Sequence, residues 1–229
     1  MGARYALYYA PDTDSALWQR ASRWLGRDAA TGEDVAQFVP DGLEPDHFAA
    51  LTAAPRHYGF HATLKAPFQL ADERSEGQLL AAVEKFAVAR MAFTATIAPQ
   101  ILGNFIAFRL VGASAEMHAL HRDCVCDLDN FRAQPSALEL ERRRKATLSA
   151  EQDERLVKWG YPYIFEDFRF HMTLSGRVDA EVQRRQLLDA ATSYFTEDCG
   201  VHRFASLCVF HQPDAASPFT IIGRFAFGA

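Results

Sequence analysis

The sequence predicts an α+β fold made by duplication, with mainly antiparallel sheets facing a central cleft and helices on the outside. Three observations carry this expectation. Short apolar and aromatic runs that read as strands alternate with segments of helical periodicity. Two of the strands, YGFHATLKAPF at Tyr58–Phe68 and DFRFHMTLSGR at Asp167–Arg177, share the core Phe-His-x-Thr-Leu. Each is followed by a helix and then a hairpin, and 42 residues separate His61 from the turn at Gly103 where 43 separate His171 from the turn at Asp214. Self-similarity at matched spacing is the mark of a repeated unit. No linker divides the two units, so residues 1–229 are expected to form a single domain of two pseudo-symmetric lobes sharing the cleft.

Taken in order, Arg4 to Ala10 reads as a strand. Asp12 or Asp14 then caps a helix running through Leu17, Ala21, Trp24 and Leu25 to Gly26. Residues 27–55 carry several Gly and Pro and read as loop. After the first histidine strand, Leu79, Leu80, Val83 and Phe86 give Ser75–Arg90 helical spacing. Phe93–Ile101 and Phe105–Val111 are strands around a tight Gly103-Asn104 turn. Met117, Leu120, Cys124 and Leu128 line one side of a helix over Ser114–Phe131. Ser149, with Gln152 in the capping-box position, opens another that ends near Gly160. Beyond the second histidine strand, Asp179 caps a helix to about Phe195, and Val201–Gln212 and Pro218–Phe227 form a last hairpin.

The 229 residues, 49% hydrophobic, are enough to bury a sizeable core. A net charge of −5 provides no global field to hold a long polyanion, so any phosphate contact must be local. Four cysteines without a C-x-x-C pair suit a reducing cytoplasm. The first apolar run is too short for a signal h-region or a membrane span, and Gly2 lacks the hydroxyl residue at position 6 that a myristoylation signal wants. These features read as a soluble cytoplasmic protein with no membrane contact.

Strand side chains alternate between faces, so His61, Thr63 and Lys65 are expected to share one face, as are Arg169, His171, Thr173 and Ser175. The intervening residues, Phe60, Ala62, Leu64 and Ala66 in one strand and Phe168, Phe170, Met172 and Leu174 in the other, go to the core. The polar faces must meet water or a ligand, because several unpaired donors are costly in an apolar interior. A solvated sheet face explains either row by itself. It gives no reason for His-x-Thr-Leu to recur at matching places.

The paired motifs His61-Ala62-Thr63 and His171-Met172-Thr173 resemble the two H-x-[ST] signatures of the 2H phosphoesterase superfamily, which includes LigT-like cyclic phosphodiesterases. RYALYYAP, LGRD at Leu25–Asp28 and YGFHATLKAPF are similar more narrowly to a bacterial branch whose genes often lie among those for phosphonate breakdown. The resemblance covers nearly the whole chain in layout, although the segment from about Phe131 to Ile164 is long beside small LigT-like proteins. It implies hydrolysis of a cyclic phosphodiester on a small phosphorylated sugar or nucleotide, with a phosphonate-derived ribosyl cyclic phosphate as one candidate, and no cofactor.

Such hydrolysis needs a base to deprotonate water and an acid to protonate the leaving oxygen, and two imidazoles with pKa near about 6.5 can supply both. His61 and His171 are the candidate catalytic pair, in either order. Thr63 and Thr173 would hydrogen-bond the non-bridging oxygens, and Lys65 or Arg169 would add positive charge. Tyr58, Tyr161 and Tyr163 precede the two strands and either gate the cleft, stack on a sugar or base, or pack at its rim. His57 lies four residues before His61, but with no H-E-x-x-H pattern or completing carboxylate a metal site is not expected. His118 and His121 read as surface and packing positions, and Arg142–Lys145 as a solvated basic run or a phosphate handle. The glycines fit no phosphate-binding loop. A module that binds a nucleotide or RNA end without turnover is the rival, though binding alone does not need two titratable imidazoles; a metallohydrolase is a third possibility.

Overall fold

The computed structural model describes residues 2–228. In chain order it contains β1 (Arg4–Tyr9), α1 (Ala16–Leu25), α2 (Pro45–Tyr58), β2 (Ala62–Phe68), α3 (Glu76–Val88), β3 (Phe93–Leu102), β4 (Phe105–Leu110), α4 (Ala115–Asp127), α5 (Ala137–Arg144), α6 (Ala150–Trp159), β5 (His171–Thr173), α7 (Glu181–Tyr194), β6 (Gly200–Phe204), β7 (Ser206–Gln212) and β8 (Thr220–Ala226). The expected α+β duplication is present. Its strands form one continuous antiparallel sheet in the order β6-β3-β4-β5-β2-β1-β7-β8, so the two four-stranded halves join edge to edge through β5 and β2. Joining satisfies two edges that would otherwise present unpaired N–H and C=O groups.

The units interleave. Helix α3 follows β2 in the chain but packs beneath β7 and β8, while α7 follows β5 and packs beneath β3 and β4. The hairpin β3–β4 belongs in sequence to the first unit, yet β4 pairs with β5 of the second. Likewise β7–β8 joins the first unit through β1. The run Val201–Gln212, expected as one strand, breaks at Ala205, and its two parts serve opposite ends of the sheet: β6 pairs with β3 and β7 with β1. The helix-covered face buries Leu7, Phe60, Leu64, Phe108, Met172, Phe195 and Val209 in the main core. A smaller cluster gathers around Tyr8, Trp18, Phe210 and Phe219.

Several local expectations are corrected. The stretch expected as loop contains α2, which starts with Pro45 in its first turn and runs as far as the positive-φ Gly59; Pro55 falls within it, near the C-terminal end. Tyr58 is thus the last residue of a helix, and β2 begins only at Ala62. Ser15, and not Asp12 or Asp14, caps α1 by accepting the Trp18 N–H. Asp179 does not cap α7, whose N-cap is Ala180; its carboxylate pairs with Arg177 instead. The second histidine strand shrinks to His171–Thr173, since Phe165–Asp167 forms a 3-10 turn and Ser175 is buried, donating to the Gly176 carbonyl and accepting the Ile106 N–H. No helix among the described residues is long and apolar enough to cross a membrane.

Gly59 joins α2 to the first histidine strand at φ 77° and ψ 173°, a region that only glycine enters easily. A Cβ there would collide with the Ala29 Cβ, and the Gly59 carbonyl accepts from His61 Nδ1 at 2.8 Å. Gly59→Ala is therefore expected to lower stability by roughly 2–5 kcal/mol, combining backbone strain with overpacking. Urea unfolding measures it, and a loss under about 1 kcal/mol would show that the turn relaxes freely.

Candidate active site

The two histidine strands are neighbours. Ala62 pairs with Met172 across the β2–β5 ladder, so one step to either side sets Thr63 opposite His171 and His61 opposite Thr173. Residues directly opposite in an antiparallel pair share a face. Ala62 and Met172 are fully buried on the helix side, whereas the four motif residues are only half-buried and look the other way. The result is a diagonal quartet in which each imidazole has one threonine two residues along its own strand and another across the ladder.

Both imidazoles are held alike. His61 Nδ1 lies 2.8 Å from the Gly59 carbonyl, and His171 Nδ1 lies 2.6 Å from the Arg169 carbonyl. A carbonyl only accepts, so each Nδ1 carries the hydrogen and each Nε2 is left as the cleft-facing nitrogen. Thr63 Oγ1 is 3.4 Å from His61 Nε2. Burial pushes His61 down to about 4, against the pull of its Gly59 bond and with a smaller push from His171. His171 is also lowered, chiefly by burial; its bond to the Arg169 carbonyl opposes the shift and the Arg109 guanidinium adds to it. Without an anion both rings favour the neutral form.

Two cavities flank the quartet. One of about 390 Å³ is lined by Thr63, His171, Arg169, Tyr161 and Tyr163, and one of about 250 Å³ by His61, Thr173, Tyr58 and Asn104. Phe105 lines both, its ring 5.8 Å from that of His171. Arg169 is pinned at the wall, Nη1 donating to the Glu166 and Phe168 carbonyls. Buried His121 closes the floor: its Nδ1 donates to the Leu64 carbonyl, its Nε2 accepts the Phe165 N–H, and its ring stacks on Phe168. That bond holds Phe165, a non-glycine residue at φ 58°. Arg142 and Lys145 lie elsewhere, lining a cavity of about 380 Å³ with Glu139 and Glu141. Among the described residues no group of three or more His, Cys, Asp or Glu side chains converges as metal ligands would.

Lys65 does not join the row, contrary to expectation. Tyr8 pairs with Thr63 but Leu7 pairs with Lys65, so a bulge intervenes and Lys65 turns to the face opposite Thr63. There it is 3% exposed, with Nζ donating to the Val125 carbonyl at 3.0 Å and to Asp129 Oδ1 at 2.8 Å. Arg132 holds the same carboxylate through two nitrogens. Burial pushes the Lys65 ammonium below its ordinary range. It also pushes Asp129 up, but the hydrogen bonds from Arg132 and Lys65 outweigh it and hold the carboxyl low.

Two cleft-side residues escaped the sequence. Tyr8 is 1% exposed and stacks on His61 at 3.8 Å and 19°. Arg109 is the register partner of His171 on β4. Alternation in RYALYY and FIAFRL places each on one strand face, but which strand lies beside which histidine is long-range information.

A duplicated antiparallel sheet with a paired-histidine cleft at its centre is the class of protein that these elements define. The family model described as "Protein of unknown function (DUF1045)" matches residues 63–220, and the chain belongs to that family. Two relatives share the printed name "Ribose 1,5-bisphosphate phosphokinase PhnN". The protein from Janthinobacterium sp. (strain Marseille) is 42% identical over 183 residues, 78% of this chain and 40% of its own length. That from Laribacter hongkongensis (strain HLHK9) is 36% identical over 219 residues, 95% of this chain and 50% of its own. The chain thus spans about half the length of these curated relatives or less. Among solved structures, a phosphoesterase crystal structure aligns over 99% of both chains at a TM-score of 0.44 and 10% identity. E. coli LigT complexed with NADP+ aligns over 100% and 99% at 0.44 and 11%.

The lowered histidines make stability depend on acid. Their folded pKa lies below the unfolded value of about 6.5, so the unfolded chain binds more protons in between. The contribution of His61 is complete above about pH 6.5 and is lost as pH falls toward 4; His121, also at about 4, acts with the same sign. Unfolding free energy is expected to decline over that window, less steeply in His61→Gln, and NMR of a His61 ring that titrates near 6.5 would contradict the burial argument. Asp129→Asn strands a buried ammonium and should cost about 3 kcal/mol, whereas Lys65→Met leaves Asp129 with Arg132 and should change stability by less than about 1 kcal/mol. Equal losses in urea unfolding would show that the pair is not the buried unit described.

Proposed function

We propose that this protein opens a cyclic phosphodiester of a small phosphorylated sugar or nucleotide without a metal ion. The observation that carries the proposal is the matched pair of imidazoles, each locked by a carbonyl two residues earlier and each aiming Nε2 into a cleft shared with Thr63 and Thr173. A bound phosphate raises the pKa of both rings, because a nearby anion favours the imidazolium. One ring then carries a proton at Nε2 while the other remains neutral. The neutral Nε2 takes a proton from water as its oxygen attacks phosphorus; the ring P–O bond breaks, and the other Nε2–H gives its proton to the departing oxygen. Threonine hydroxyls donate to the non-bridging oxygens as charge builds there. The relatives' printed name favours one substrate. A ribose 5-phosphate bearing a 1,2-cyclic phosphate, opened at O2, is ribose 1,5-bisphosphate, so this chain would make the compound that the name assigns to the kinase.

The test is a screen of ribose cyclic phosphates and 2′,3′-cyclic nucleotides, with the double histidine variant as blank. His61→Ala and His171→Ala are each expected to lower turnover by about 10²- to 10⁴-fold. The double variant should lose far less than the product, since the two act as a unit. Thr63→Val and Thr173→Val should each cost roughly 1.5–3 kcal/mol in kcat/KM if their hydroxyls meet charged oxygens. The pH profile of kcat/KM should be bell-shaped with one limb altered by each histidine variant, and chelators should leave the rate unchanged. Turnover no faster than the blank across the whole panel would remove the proposal.

A further inference from the structure

Lys65 is turned into the core and Arg169 Nη1 is committed to the Glu166 and Phe168 carbonyls, which leaves Arg109 as a further cation beside the quartet. Arg109 of β4 is paired in register with His171, and Thr63 lies across the next ladder, opposite His171 from the other side. Tyr8 pairs in turn with Thr63. One row across four adjacent strands therefore reads Arg109, His171, Thr63, Tyr8, with side chains on the same face and strands about 4.8 Å apart.

The protein serves the Arg109 guanidinium poorly. Its one hydrogen bond among the described residues runs from Nη1 to Gln100 Oε1, at the long distance of 3.4 Å. Its Nε–H is shielded from solvent and finds no partner. The same nitrogen is unpartnered at Arg27, Arg143 and Arg184, and of the four arginines Arg109 is the one paired in register with a motif histidine. A ligand is one ordinary explanation of a buried donor left unmade. The guanidinium also opposes the charging of His171, so two groups that would both bear positive charge are held side by side. An anion between them offsets that repulsion and gives both of them a hydrogen-bond acceptor.

We propose that Arg109 is the phosphate-binding cation of the histidine cleft, its guanidinium contacting non-bridging oxygens of the phosphoryl group held between His61 and His171. The proposal rests on the phosphoesterase reading for the identity of the anion. The planar fork suits a phosphoryl group, matching two oxygens at once where a lysine offers a point charge. Placed on β4, it stabilises charge on the His171 side of the phosphate, while Tyr8 packs the His61 side.

The experiment is a titration with inorganic phosphate, followed by the NMR ring signals of His61 and His171, in the wild-type protein, Arg109→Gln and Arg109→Lys, with thermal unfolding as the check on folding. Saturable shifts of both rings are expected in the wild type. Arg109→Gln should bind roughly 10- to 100-fold more weakly, the loss of a hydrogen bond to a charged group. Arg109→Lys should keep the charge without the fork and recover part of the affinity. Wild-type affinity in Arg109→Gln would overturn the assignment while leaving the phosphoesterase reading intact. Phosphate binding that depends on Arg109 in a protein that opens no cyclic phosphodiester would sustain the assignment and remove that reading. If phosphate shifts neither ring of the wild type, Arg109 is not part of an anion site. If Arg109→Gln fails to fold, Arg109→Lys decides alone: affinity equal to the wild type's would remove the role of the fork, and a reduced affinity in a folded protein supports it.

Discussion

The cleft depends on the pairing of β2 with β5. That ladder is short, with Ala62 set against Met172, and both side chains are fully buried on the helix side. Because strand side chains alternate, fixing these two in the core forces His61, Thr63, His171 and Thr173 onto the opposite face. A slip of one residue would drive the imidazoles into the core and expose Ala62 and Met172, so core packing specifies the register. The same contact joins the two halves into one sheet. Apolar burial at a single pair of positions thus sets both the continuity of the fold and the convergence of its polar motifs.

Around that pair the duplication is closely kept in some features and broken in others. The turn before each strand offers a carbonyl two residues upstream of the histidine, which selects the Nδ1–H tautomer in both halves. The flanks differ. On one side the Tyr8 ring covers His61, and on the other Arg109 stands beside His171. An aromatic neighbour excludes water from one imidazole, and a cation opposes charging of the other. Equivalent motifs are therefore placed in unequal environments, which is a condition for dividing acid and base roles between two chemically identical groups.

The segment between β4 and β5 builds the wall of the larger cavity. Tyr161, Tyr163 and Arg169 come from it, and it is fastened at two buried points. Asp129, held by Lys65 and Arg132, ties it to β2, with Arg132 also donating to the Lys158 carbonyl. His121 ties it to the Leu64 carbonyl on one side and to the Phe165 N–H on the other. Both anchors reach β2 directly, so the wall and the first histidine strand are positioned together.

The sequence by itself determined the features whose causes are local. Alternation and helical periodicity located most strands and helices, and the recurrence of Phe-His-x-Thr-Leu at nearly equal spacing marked the duplicated units and the four residues that converge. It misjudged α2, reading loop as far as Pro55 and strand from Tyr58, because Gly and Pro nearby signalled loop although Pro45–Tyr58 has no glycine and carries one proline in its first turn and the other near its end. The tertiary structure decided what depends on contacts between distant residues. The bulge between Thr63 and Lys65 reverses the face of Lys65 without any break in the alternation of the sequence, because it is a property of the pairing with β1. The exchange of hairpins between halves, and with it the placing of Arg109 beside His171, follows from which strand edges meet, as does the stacking of Tyr8 on His61 through the pairing of β1 with β2. Periodicity assigns a side chain to a face, but only the packed sheet assigns it a neighbour.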